Sequence, residues 1–226
     1  METLVYPEIF GKKAKAFFTG RVPGADPGQL ARVAVLDKKN IYMPIQKHTD
    51  KVIILDSSLE PKIGDAVITS RKDILVGVQT ADCVPILLYA RVSGVAGAVH
   101  AGWRGTAAEI LKKTIHAMID RYHSSPIELL VAIGPSIRSC CYDVGYEVIE
   151  AIKGTAGKGE DVMNRGGKYF LDIPTANKYQ ALSMGVPSEN IWMSDECTFC
   201  LPEKYYSYRF AKGPTGRQGG FIRIVP

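Results

Sequence analysis

Three short stretches of this chain each place a soft or borderline metal donor beside a turn. Residues 46–50 carry His48, residues 80–85 carry Cys83, and residues 99–105 carry His100. Two imidazoles and one thiolate suit a tetrahedral transition metal, zinc above all, with a fourth position left for water or substrate. The same donor set also accepts copper. Cys83 opens one apolar run (83–90), His100 lies near the end of the next (94–101), and Ser93-Gly94 marks a tight turn between them. If the runs pair as a hairpin, Cys83 is expected roughly across from His100, with Cβ atoms about 5 Å apart. His48 could then join from a third strand end. A cysteine in a strand is more often a small buried hydrophobe, so spacing alone leaves ligand and core filler both open.

A second feature adjoins His100. Residues 101–106, Ala-Gly-Trp-Arg-Gly-Thr, read as a glycine-bearing loop running from a strand into a helix N-terminus. Free N–H groups there favour an anion, and Arg104 can add a fork of donors; the bland alternative is a plain turn with a solvated arginine. Cys83 with His100 is also a possible nucleophile and base, a cysteine hydrolase that needs no metal. A closed fourth position, filled by Cys140 or Cys141, would instead make a structural metal site on a non-enzymatic scaffold. Cys197-x-x-Cys200 lacks a second such pair and reads as core packing or an occasional disulfide.

The elements that must position these residues are strand-rich at first. Short β-branched runs occupy 31–36, 41–45 and 52–55, and nearly continuous apolar runs occupy 74–80, 83–90 and 94–101. Runs of the second kind suit strands buried on both faces. Thr106 with Glu109 reads as a capping box, opening a helix with Leu111, Ile115, Met118, Ile119 and Tyr122 on one face. Residues 127–133 read as a strand, 145–152 as a helix and 154–168 as a surface loop. Asp172 caps a third helix with Pro174 in its first turn and Gly185 past its end, and three closing strands include the run Tyr205-Tyr206-Ser207-Tyr208-Arg209-Phe210. Strands gather in the first half and helices in the second, which predicts an α+β layered fold. With no repeat or long linker, residues 1–226 are expected to form a single domain.

Composition narrows the classes. The chain has 226 residues, is 46% hydrophobic and 23% charged, and carries a formal net charge of +5. No stretch of about 18 apolar residues predicts a membrane span, the N-terminus does not read as a secretory signal, and no basic block interleaved with aromatics predicts nucleic-acid binding. Five cysteines, an odd number, argue against a secreted disulfide framework and for the cytoplasm.

Taken together, the segments QKHTDKV, TADCVPILL, AVHAGWRGT and IGPSIRSCCYDVG, followed by CTFC, YYSYRF and TGRQGGFIRI, resemble the laccase-domain family. This family was first called polyphenol oxidases and later described as purine nucleoside phosphorylases and adenosine deaminases. The resemblance covers most of the chain. It implies mixed β-sheets forming a sandwich-like core flanked by helices, similar to the cysteine hydrolase fold of certain bacterial toxins. It implies that His48, Cys83 and His100 bind Zn2+ (Cu2+ as the alternative) in an accessible pocket. Asp82, Arg104, Cys141 and Arg209 would line or support that pocket, and the substrates would be purine nucleosides and phosphate. Asp82 would stand in for the glutamate proton shuttle of other zinc deaminases, since no His-x-Glu is present. The segment 16–28 follows the family pattern only loosely, so Arg21 receives no role, and Cys200 lies outside that pattern. A multicopper oxidase would need far more imidazoles than four histidines supply; a single-copper polyphenol oxidase would not.

Overall fold

A computed structural model of the chain describes residues 3–155, 159 and 161–225. Strands and helices are numbered in chain order. One sheet runs β1 (Leu4–Val5), β2 (Ala14–Thr19), β14 (Gln218–Ile224), β6 (Leu75–Thr80), β3 (Ile41–Tyr42). A second runs β13 (Ile191–Met193), β9 (Leu129–Ile133), β7 (Val84–Ala90), β8 (Val95–Ala101), β5 (Ala66–Thr69), β4 (Val52–Ile54). A small third sheet is β10 (Asp143–Val144), β12 (Lys168–Leu171), β11 (Val162–Arg165). Both larger sheets mix parallel and antiparallel pairs. The helices are α1 (Pro27–Ala34), α2 (Trp103–Ala107), α3 (Ile110–Tyr122), α4 (Tyr146–Ile152), α5 (Ile173–Ser183) and α6 (Tyr208–Ala211).

Side-chain alternation explains the layering. Along β7, Ile86 and Leu88 pack with Leu111, Ile115 and Met118 of α3 and with apolar residues of α4 and α5. The intervening Leu87 and Tyr89 point the other way and pack with Phe18, Val76, Val78 and Ile222 of the first sheet. On the far side of that sheet, Phe17, Leu75 and Phe221 meet Leu30 and Ala34 of α1. The order is helix, sheet, sheet, helices, an α+β sandwich. Every residue of β7 and β8 is buried, which is why those runs are apolar throughout rather than alternating. Each fully buried Leu or Ile contributes roughly 1.5–3 kcal/mol, so this central hairpin is the firmest support available to a site at its ends.

Four expectations are corrected. Residues 31–34 lie in α1, not a strand: the Asp26 carboxylate caps the Gln29 N–H at 2.9 Å, Pro27 opens the helix, and Leu30 and Ala34 bury one face. Cap and packing outweigh the β-preference of Val33 and Val35. Thr106 and Glu109 do not form a capping box. Thr106 sits inside α2, and α3 starts after Glu109 in a left-handed conformation with no side-chain cap. The stretch 154–168 is not all loop: β11 and β12 form a hairpin whose Gly166-Gly167 turn has φ +57° and +78°, the left-handed pair such a turn requires. Residues 156–158 and 160 of that stretch lie outside the described residues. The 205–210 run is not a strand: residues 205–207 are irregular and residues 208–211 form the short helix α6, capped by the Ser207 hydroxyl, which accepts the Phe210 N–H at 3.0 Å.

Candidate metal centre

The β7–β8 hairpin forms as expected, with Gly94 (φ +66°) in the turn, but its register differs. Ala90 pairs with Val95 across a four-residue turn, so His100 lies opposite Pro85 and Ala101 opposite Val84. Continued one pair outward, that register sets Cys83 against Gly102. Cys83 and His100 are therefore diagonal neighbours rather than direct partners, and Gly102 makes room for them. A Cβ built on Gly102 would come within 3.0 Å of the Cys83 Sγ and 3.3 Å of the His48 Cδ2.

His48 arrives from the loop before β4. Its ring meets that of His100 edge-on with centroids 4.9 Å apart, and its Nε2 lies 3.9 Å from the Cys83 Sγ. One donor atom from each of His48, Cys83 and His100 falls within 4.8 Å of the other two. That spacing and the soft donor set fit a tetrahedral ion after small rotamer changes.

Asp65, fully buried just before β5, holds these parts in register and was missed in the sequence. Its Oδ1 accepts the His100 Nδ1–H at 2.8 Å and the His48 N–H at 3.0 Å. Its Oδ2 accepts the Lys47 N–H at 3.2 Å, the Thr49 N–H at 2.6 Å and the Thr49 hydroxyl at 2.8 Å. Three successive N–H groups thus wrap one carboxylate, and His48 takes a left-handed φ of +56° to do so. With Nδ1 donating to Asp65, His100 presents an unprotonated Nε2 as a ligand atom, the usual orienting role of a carboxylate behind a metal-binding imidazole.

The electrostatics follow from the same contacts. Burial disfavours the Cys83 thiolate, but the His100 and His48 imidazoles outweigh it and bring the thiol down to about 6. Burial likewise opposes charge on His100, yet Cys83 and Asp65 raise it to about 9. Burial pushes the Asp65 carboxyl upward, and its five donors overcome that and hold it well below the usual range. Without metal, Cys83 and His100 form a thiolate–imidazolium pair near neutral pH.

The centre opens into a cavity of about 780 Å³ walled by Trp103, Tyr142, Tyr208, Arg104, Arg209 and Arg217 among others. Asp82 is the only carboxylate among the described residues that line it. It is 8% exposed, with one oxygen accepting the Thr198 hydroxyl and the other the Arg209 N–H, both at 2.7 Å. The Arg209 guanidinium pairs with Asp143 and lies over the Tyr142 ring. Arg104 is exposed, stacks on Trp103 at 4.3 Å and pairs with no carboxylate among the described residues. The helix behind it, α2, has only five residues, so its dipole is short and the positive character comes mainly from arginine side chains.

The sequence-derived site residues thus come together with one exception. His48, Asp82, Cys83, His100, Arg104 and Arg209 all line the cavity; Cys141 does not. Its Sγ turns to that of Cys200 at 3.2 Å, and the neighbouring Tyr142 takes the place in the wall. Cys140 and Cys141 do not complete the His48–Cys83–His100 group either; they gather with Cys197 and Cys200 in a cluster of their own.

Residues 26–225 match the family described as multi-copper polyphenol oxidoreductase laccase. The chain is 40% identical over 167 residues to the purine nucleoside phosphorylase of Aquifex aeolicus (strain VF5), spanning 74% of this chain and 75% of that one. It is 34% identical over 195 residues to adenosine deaminase RL5 of an unknown prokaryotic organism, spanning 80% and 73% respectively. The crystal structure of YlmD from Geobacillus stearothermophilus superposes with a TM-score of 0.90 at 28% identity, over 97% of this chain and 94% of that one.

Proposed function

The chain belongs to the multi-copper polyphenol oxidoreductase laccase family, and on that premise we propose that it is a zinc-dependent purine nucleoside phosphorylase that also deaminates adenosine. Its substrates would be adenosine, inosine or methylthioadenosine, with phosphate. The observation that carries this reading is the three-donor centre at the edge of a cavity that joins aromatic walls to Arg104, which stacks on Trp103 and pairs with no carboxylate among the described residues. Zinc bound there supplies Lewis acidity able to activate an oxygen nucleophile near neutral pH. The chain's own groups do the rest. Trp103, Tyr142 and Tyr208 offer faces and edges for a purine. Arg104 offers its guanidinium fork to phosphate and to charge developing during transfer. Asp82 is the carboxylate proposed to move the proton in the deamination branch, held in place by Thr198 and the Arg209 backbone. Asp65 keeps His100 in the tautomer that ligates.

The multicopper part of the family description fits the histidines poorly. His116 and His123 are exposed on and just after α3, leaving two imidazoles for the centre. A closed structural site lacks a fourth donor from His, Cys, Asp or Glu among the described residues. A second reading is favoured by one observation. Asp65, His100 and Cys83 stand in the order orienter, base and nucleophile, with a lowered thiol, the arrangement of a cysteine hydrolase. No helix among the described residues is long and apolar enough to cross a membrane; five free cysteines support a reducing compartment such as the cytoplasm.

Product analysis of adenosine turnover separates these readings. Ribose 1-phosphate formed only with phosphate establishes phosphorolysis, and inosine formed without phosphate establishes deamination. Full activity after verified metal removal would overturn the zinc mechanism and favour Cys83 as nucleophile.

A further inference from the structure

Beyond the cavity, four of the five cysteines meet in space. Cys140 and Cys141 lie in the turn between β9 and β10; Cys197 and Cys200 lie in the turn after β13. A parallel bridge between Ser136 and Cys197, with the Thr198 N–H donating to the Ser136 carbonyl at 3.1 Å, joins the two turns. The four sulfurs all fall within 4.8 Å of one another. We propose that Cys140, Cys141, Cys197 and Cys200 form a second metal site, a closed zinc tetrathiolate that clamps two cavity-forming loops together.

Three observations argue for metal over a disulfide. The first is distance. Sulfurs bound to one zinc at about 2.3 Å stand roughly 3.8 Å apart at tetrahedral angles. Cys140 and Cys200 stand 3.7 Å apart, and Cys141 and Cys200 3.2 Å, closer to that spacing than to the about 2.05 Å of a disulfide. The second is the local geometry of Cys-x-x-Cys. The backbone N–H groups of Arg138, Phe199 and Cys200 face the Cys197 sulfur. A loop folded so that its N–H groups at positions two and three further on face the first sulfur is shaped for a thiolate. The third is donor count: four thiolates fill a tetrahedron and leave no open position, the mark of a structural site.

The site would act through placement. Tyr142 of the cavity wall directly follows Cys141, and Thr198, inside the Cys197–Cys200 turn, holds Asp82 beside Cys83. Each cysteine gives up its proton as zinc binds.

The test measures metal per chain in the full-length protein purified with zinc. Wild type is expected to hold two zinc ions, Cys83→Ala one, and Cys197→Ser/Cys200→Ser one. Should the double variant fail to fold, Cys83→Ala loaded with Co2+ serves instead. It retains only the four clustered thiols, and intense thiolate-to-cobalt charge-transfer absorption with tetrahedral d–d bands is expected from them. A single zinc in wild type that disappears in Cys83→Ala would overturn the proposal. So would absence of the cobalt–thiolate bands, or a Cys141–Cys200 disulfide in freshly purified protein. A single zinc in wild type that persists in Cys83→Ala would instead count against the reading of the cavity centre and leave this site standing.

Discussion

Replacing Asp65 by asparagine tests the logic of the cavity centre most directly. The substitution keeps the shape and removes the charge, but the new amide must point its NH2 at one of two sets of donors. Oδ2 serves three of them and Oδ1 two, so the less damaging choice puts the NH2 where Oδ1 now meets His100 and the His48 N–H. His100 Nδ1 then becomes an acceptor, its proton moves to Nε2, and the ligand atom is blocked. Loss of an orienting carboxylate typically lowers metal affinity by about 10–100-fold, and the upper end is expected here because the tautomer is inverted. The unmet His48 N–H and the lost charge-assisted bonds should lower stability by roughly 3 kcal/mol. Zinc affinity is measured by competition with a chromophoric chelator, and stability by urea denaturation of the metal-free forms. Wild-type zinc affinity in folded Asp65→Asn would refute the argument that the carboxylate sets the His100 tautomer.

Further predictions follow from the same geometry. Gly102→Ala places a methyl 3.0 Å from the Cys83 Sγ; its backbone is extended, so the fold should persist while zinc binding weakens at least tenfold, and unchanged affinity would contradict the close approach. In metal-free protein, Cys83 should react with iodoacetamide along a pH curve with midpoint about 6. Its alkylation should fall as the thiolate protonates below that midpoint, whereas a midpoint near the ordinary thiol value of about 8.5, read by peptide mapping, would contradict the facing imidazoles. Arg104→Gln should raise KM for phosphate by about 10–100-fold, the worth of a charged hydrogen bond, and leave phosphate-independent deamination nearly unchanged; equal losses in both reactions would deny Arg104 its phosphate role.

How far the chain could be read depended on how local each signal was. The β7–β8 hairpin was legible because both strands are buried on both faces and Ser93-Gly94 interrupts them. Its register was not, because four turn residues rather than two set the pairing and moved the position opposite Cys83 two residues on, from His100 to Gly102. The three donors were found through their family resemblance and their turn positions. Asp65 was not, since an aspartate after a glycine reads as a turn residue until packing buries it against residues 47–49 and 100. A buried acid at the start of an apolar strand was the available clue. The two cysteine pairs looked unrelated because 56 positions separate Cys141 from Cys197, and the β9–β13 pairing with the Ser136–Cys197 bridge beyond it brings them together. The 31–36 run misled for the opposite reason: residue preference was read while the Asp26-Pro27 start signal was passed over.

The order in which the centre's parts come together has a kinetic consequence. Cys83 and His100 sit on one hairpin, a short-range contact of the kind that forms early. His48 joins only when the loop before β4 closes on Asp65, across the interval from residue 48 to residue 65 and against β8. An early intermediate would hold two donors of three and grip an ion weakly. Full affinity would exist only after the rate-limiting barrier, so a bound ion should leave the folding rate nearly unchanged and slow unfolding. In this protein, metal would act as a lock on the finished state rather than a seed for reaching it.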